Sequence, residues 1–209
     1  MSFSKIFCVG FNKTGTTSLK VAIESLGFKV GDQKRAAILA SSNWAKRDFG
    51  KVIDYCQSAD AFQDAPFSFP YTYQAMDMAF PRSKFILTIR NSSEEWYSSL
   101  IRFHGKLYAS GKVPPNKSDL INANNWLYKG RPWEMNRALF MSPEDEPYKK
   151  DVLIKAYENH NYAVQDYFRH RPADLLVLNV SEAQALEKLV RFLGGKSHLT
   201  SFPHEKKSK

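Results

Sequence analysis

The stretch Ile6-Phe-Cys-Val-Gly10-Phe-Asn-Lys-Thr-Gly15-Thr-Thr-Ser-Leu19 decides how the rest of the chain is read. Residues 6–9 form an apolar run closed by a glycine, the pattern of a buried strand. Leu19, Ala22, Ile23 and Leu26 then recur at helical spacing, and Gly27 stops that helix as a C-terminal cap would. Between strand and helix, Gly10 and Gly15 frame a short loop. This is the context that a phosphate-binding loop demands. Glycine permits the tight turn, successive backbone N–H groups form an anion nest, and the helix N-terminus adds partial positive charge.

The placement of the lysine narrows the chemistry. The nucleoside-triphosphate version of such a loop is GxxxxGK[ST], with its lysine on the β/γ-phosphates and its hydroxyl on Mg²⁺. Here the glycine frame is kept, but Thr16 stands where that lysine would be, and the cation has moved inside the loop to Lys13. An ammonium there reaches over the loop toward the group beyond a bound phosphate. That is a natural place to neutralise charge on a leaving oxygen.

Outward from this unit, the chain alternates strands with helices. Residues 59–63 read as a short strand ending at Asp64-Ala65-Pro66, and residues 84–89 as the clearest strand, nearly all β-formers. After Arg90, Ser92 with Glu95 fits a capping box, and Trp96, Leu100 and Phe103 continue a helix. Residues 174–178 are a last strand. Ser181 with Gln184 is then expected to cap a helix carrying Leu186, Leu189, Val190 and Leu193, ended by Gly194-Gly195. Mostly helical segments fill the interval before that last strand, including an amphipathic one near residues 148–168, with residues 111–117 as a loop or lid. The fold class expected is α/β: three layers, a parallel sheet flanked by helices. In such folds ligands bind at the carboxyl ends of the strands, so residues 10–17, Asp64 and Arg90 are expected to be neighbours.

Phe11-Asn12-Lys13-Thr14-Gly15-Thr16-Thr17-Ser18-Leu19 resembles the 5′-phosphosulfate loop of sulfotransferases that use PAPS (3′-phosphoadenosine 5′-phosphosulfate), whose pattern is approximately xxK[ST]GTTxL. The family also implies an arginine ending a strand with a serine eight residues later, and Ile86-Leu-Thr-Ile-Arg90-Asn-Ser-Ser-Glu-Glu-Trp-Tyr-Ser98 supplies both. The resemblance implies a P-loop-type sulfotransferase fold and PAPS as co-substrate. It puts Asn12, Lys13, Thr14, Gly15, Thr16, Thr17 and Ser18 on the 5′-phosphosulfate, and Arg90 and Ser98 on the 3′-phosphate. Ser18 occupies a position that is often aromatic in cytosolic members acting on phenols and steroids, so the loop looks closer to bacterial and glycan-modifying members. The physics of Arg90 agrees independently: a guanidinium fork at the carboxyl end of a parallel strand faces the ligand crevice and suits phosphate.

Sulfuryl transfer moves a group with less charge than a phosphoryl, so no metal is obligatory and catalysis rests on positioning and charge stabilisation. Lys13 is expected to stabilise the bridging oxygen. Asp64, at the crevice end of its strand, is the first choice for the base that accepts the acceptor's proton; His104 is the second. Phe62, Phe67, Phe69, Tyr71 and Tyr73 follow one another closely around Asp64, and Trp126, Tyr128 and Trp133 cluster later, suited either to flat ligands or to cores.

The bulk properties bound the remaining choices. Of 209 residues, 43% are apolar and 24% charged, ordinary globular values that exclude a disordered or collagen-like chain. One domain over residues 1–209 is expected, with residues 199–209 a flexible basic tail. No run approaches the roughly 20 apolar residues of a membrane helix. Two cysteines, Cys8 and Cys56, make no disulfide framework or metal spacing, which makes a reducing cytoplasmic location the default. The net charge of +9 favours an anionic partner. A Mg-dependent P-loop kinase or nucleotide hydrolase is the alternative enzyme, and it lacks the loop-end lysine. A nucleic-acid binder is disfavoured, because the positive residues are scattered and no recognition signature is present. The acceptor expected is a small molecule or a glycan.

Overall fold

The computed structural model describes residues 3–124 and 127–203. The chain divides into two compact units, one from residues 1–91 with 161–207 and the other from residues 92–160. The first unit holds a four-stranded sheet of β1 (Ile6–Cys8), β2 (Ala61–Phe62), β3 (Lys84–Thr88) and β4 (Leu175–Leu178) in the order β2-β1-β3-β4. Every neighbouring pair is parallel, with Phe7 opposite Phe62 and Phe85, and Phe85 in turn opposite Leu175. The three-layer α/β class expected from the alternation of strands and helices is the one found.

The strands have apolar residues on both faces, and each face has its own core. Phe7 and Val9 of the first strand and Phe85 and Leu87 of the third pack with Tyr55, Phe62, Phe67, Met76 and Phe168. Ile6, Cys8 and Ile86 point the other way, onto Leu19, Ile23, Leu178 and Leu189. A strand alternates sides with period two, so only a sheet covered on both faces can bury such runs. On one side lie α1 (Thr16–Ser25) and α9 (Ala185–Leu193). The other side is covered by residues of α2 (Gln33–Ser42), α3 (Gly50–Tyr55) and α4 (Thr72–Ala79), together with Val164 and Phe168. Phe7 is the hub of the second layer, with four phenylalanine rings centred 5.5–5.9 Å away. Its truncation to alanine would cost about 3–5 kcal/mol by the usual scale for buried aromatics.

The second unit is helical, with α5 (Ser93–Tyr108), α6 (Lys117–Asn122), α7 (Arg131–Phe140) and the first part of α8 (Lys150–Tyr167). Trp96 lies flat on Tyr157, with centroids 4.5 Å apart and an interplanar angle of 9°. Ser92 does cap α5, accepting from the Glu95 backbone N–H at 3.1 Å.

One cap differs from the sequence expectation. The helix after β4 starts at Ala185 with Gln184 as its N-cap and no side-chain cap bond. Ser181 instead donates its backbone N–H to the Asn179 side chain at 3.0 Å, because a turn intervenes between strand and helix. The short strand ends also differ: Val9, Ile89 and Asp174 lie outside the paired strands. Helices α2, α3 and α4 were not legible as periodic runs; Asp32 caps the first of them through Lys34 and Arg35. Of the expected tail, Phe202 is buried in the same cluster as Leu189 and Leu199 packs against it, while residues 204–209 lie outside the described residues, as does Trp126. Among the described residues no helix is long and apolar enough to cross a membrane.

Candidate active site at the carboxyl ends of the strands

The strand order reverses between β1 and β3: the chain leaves β1 toward β2 on one side and comes back to β3 on the other. Connections diverge at such a point and open a crevice. The loop at residues 10–15 leaves β1 there, against the end of β3. A Cβ at Gly10 would stand 2.6 Å from the Thr88 backbone nitrogen and closer still to its carbonyl oxygen, so only glycine lets the two strands run together. Thr14 is fully buried and donates to the Phe11 carbonyl at 2.5 Å; its hydroxyl also meets that of Thr88 at 2.5 Å. Thr88 is therefore a pin for the loop that the sequence reading did not single out. A hydroxyl inside an otherwise apolar strand was its one signal.

The backbone then turns left-handed twice. Lys13 has φ 69° and Gly15 φ 96°, and Gly15 serves as the N-cap of α1 without a side-chain cap bond. Lysine in this region costs of order 1–3 kcal/mol, a strain that surrounding structure must enforce. Arg90 supplies part of that enforcement: its Nε donates to the Lys13 carbonyl at 2.7 Å. A side chain at Gly15 would also strike the Cγ2 methyl of Val180. The first-turn N–H groups of α1 receive no side-chain cap, and a helix N-terminus of that kind suits an anion. Asn12, Lys13, Gly15 and Thr17 are half-buried, while Thr16 and Ser18 are 5% exposed.

The end of β4 completes this edge. Ile89 donates to the Leu178 carbonyl at 3.0 Å, and the Asn179 side-chain N–H donates to Asn91 Oδ1 at 2.7 Å. Neither asparagine had been singled out; an Asn directly after an apolar strand was the available sign.

Asp64 follows β2 at the same end of the sheet, with φ 57°. Aspartate tolerates that region better than most residues. Its carbonyl accepts the Ser68 N–H at 2.9 Å, closing the turn. Its charge is felt at β1: burial, and after it the negative Asp64, hold the Cys8 thiol protonated, far above its ordinary range. The structure thus brings the loop, Arg90 and Asp64 to one end of one sheet.

Ser98 and His104 belong to the second unit. Ser98 is half-buried on α5. His104 Nδ1 lies 2.7 Å from the Tyr148 hydroxyl, and its ring contacts Tyr108 and Tyr148. Burial pushes the hydroxyls of both tyrosines up, so they stay neutral. Among the described residues no group of three or more His, Cys, Asp or Glu side chains is placed to hold a metal ion.

The fold is a parallel α/β protein with a glycine-framed, left-handed turn at its switch point. The match with known families is specific. Residues 5–209 fit the family model described as a sulfotransferase domain, and the chain belongs to that family. No curated protein matches the chain. Sulfuryl transfer is the chemistry of the family.

Proposed function

We propose that this sulfotransferase uses PAPS as its donor, transferring the sulfuryl group to a hydroxyl or amine and leaving 3′,5′-ADP. The observation that carries the reading is the turn around Lys13 and Gly15, two left-handed residues leading into an uncapped helix N-terminus. Its backbone N–H groups, with Thr16 and Thr17, hold the 5′-phosphate, while Asn12, Thr14 and Ser18 shape the turn. Lys13 places its ammonium against the bridging oxygen, where negative charge grows as the S–O bond breaks. Arg90 and Ser98 hold the 3′-phosphate, for which a planar guanidinium fork is suited. Asp64 takes the proton from the acceptor as its oxygen or nitrogen bonds to sulfur. His104 is less suited to that task, since its ring is engaged with the Tyr148 hydroxyl. The loop N–H groups and Lys13 supply the charge stabilisation, so no metal is assigned a role.

The two compact units act as one sulfotransferase domain in this reading, because the family match runs through both. Cys8 and Cys56 are free and buried, in keeping with a cytoplasmic setting. The alternative, a Mg-dependent kinase, would need a lysine where Thr16 stands.

Thermal unfolding with added nucleotides tests the donor. At 100 times its dissociation constant, 3′,5′-ADP should stabilise the fold by about 2.7 kcal/mol, with or without EDTA. Stabilisation by ATP that requires Mg²⁺, with none from 3′,5′-ADP, would replace this reading with the kinase.

A further inference from the structure

A groove of about 520 Å³ opens between α1, residues 29–31 and the start of α2. Its size suits a small ligand or a short saccharide. Lys20, Lys29, Lys34 and Arg35 line it, together with Gln33. The Gln33 side chain reaches both neighbours of Asp64: its Nε2 donates to the Ala65 carbonyl at 3.4 Å, and its Oε1 accepts from the Gln63 amide at 3.3 Å. One lining residue of the groove, Gln33, is therefore bonded to the residues on either side of the one placed above as the base.

The charges around it have been partly spent, and the balance stays positive. Asp32 is the lining carboxylate, and it is occupied in capping α2 through the Lys34 and Arg35 N–H groups. Glu24 faces Lys20 at 3.7 Å, and Asp60 accepts the Lys29 backbone N–H at 2.9 Å. Arg35 lies over the Tyr55 ring at 5.7 Å, a contact that leaves its edge donors available. Four cations thus face three carboxylates, of which one is a helix cap and another holds backbone.

We propose that this groove is the acceptor subsite and that it selects a hydroxylated acceptor bearing a carboxylate or sulfate. The inference rests on the sulfuryl-transfer reading and adds the class of acceptor to it. Lys29, Lys34 and Arg35 hold the acceptor's anion, and Gln33 sets the depth at which its hydroxyl meets Asp64. A surface of this kind raises association and discriminates by charge more than it adds raw affinity.

Binding of two matched pairs reads the proposal directly: 4-hydroxyphenylacetate against its amide, and a glucuronate-containing tetrasaccharide against its carboxyl-reduced form. The acid should bind about tenfold more tightly than its neutral partner in at least one pair, and which pair responds separates a small acceptor from a saccharide. That preference should shrink in 0.5 M salt and vanish in the double variant Lys29→Glu/Lys34→Glu. The variant should keep wild-type unfolding temperature and wild-type affinity for 3′,5′-ADP. Equal binding within both pairs would overturn the proposal, as would an unchanged preference in the double variant. Tighter binding of a DNA oligonucleotide of equal charge would overturn it in favour of a nucleic-acid surface. Failure of 3′,5′-ADP to bind wild type would instead strike the donor reading and leave the acid preference measurable.

Discussion

Two loops leave the same end of the sheet and are built on opposite terms. The first, residues 10–15 after β1, is fully bound into the fold: Thr14 is paired twice, Gly10 touches Thr88 backbone, and Arg90 holds the Lys13 carbonyl. The second, residues 63–72 after β2, keeps loose ends. Among the described residues, Gln63 Oε1 and Ser68 Oγ are buried without a hydrogen-bond partner. Each such group costs roughly 1–3 kcal/mol while unmet. At the far end of that loop Tyr71 sits left-handed at φ 67° and 54% exposed, stacked on Arg47, which also covers Trp44. A rigid first loop suits a donor that is the same in every turnover. In the proposed reading the second loop, with its unmet polar groups, belongs to the acceptor side.

Paired substitutions would break this contrast most sharply. Asp64→Asn should lower kcat by about 10²–10⁴-fold and remove the acidic limb of the pH–rate profile. Lys13→Ala should lower kcat by about 10²–10³-fold at every pH, with an unchanged unfolding temperature. Near-wild-type turnover in either variant would remove that residue from the mechanism, and a lost acidic limb in His104→Ala would move the base to the second unit.

A smaller effect separates the loops by stability. Gly10→Ala forces a methyl against the Thr88 backbone, where nothing flexible can yield. It should cost about 3 kcal/mol, seen as a fall in Tm of about 6–12 °C. A Tm within a degree of wild type would show that the first loop is not clamped as described.

The smallest effect concerns the cap beside the second loop. Hydrogen bonds from the Arg35 and Lys34 N–H groups hold the Asp32 carboxyl below its ordinary range. Its folded value lies under its unfolded one, so the carboxylate stabilises the fold above the ordinary aspartate range and loses that contribution as pH falls. Asn caps about as well as Asp, so Asp32→Asn isolates the charge. The variant should melt slightly below wild type at pH 7, with the gap closing below about pH 4. A gap independent of pH would assign the effect to something other than charge.

Much of the first loop was legible, and little of the second. Gly10, Lys13, Gly15 and the paired threonines state their conformations locally, since glycine marks the turns and the following apolar period marks the helix. Arg90 was legible too, because its strand is nearly pure β-former and ends where the charge begins. The cap at Ser181 was misread for the same reliance on local pattern: the right residue spacing occurs, yet Asn179 draws that segment into a turn. Helix α2 left no clean apolar stripe, because three alanines make its buried contacts.

The chain's own order of residues settled the covered parallel sheet, the glycine-framed turn and the arginine that follows β3. Each depends on interactions within about a dozen residues or on a period that any reader of the chain can count. Only the assembled molecule decided that Thr88 pins Thr14, that Arg90 grips the Lys13 carbonyl, and that Gln33 bonds to both sequence neighbours of Asp64. Those contacts join residues 30 to 77 positions apart. Their partners are chosen by strand order and helix packing, which no local pattern encodes.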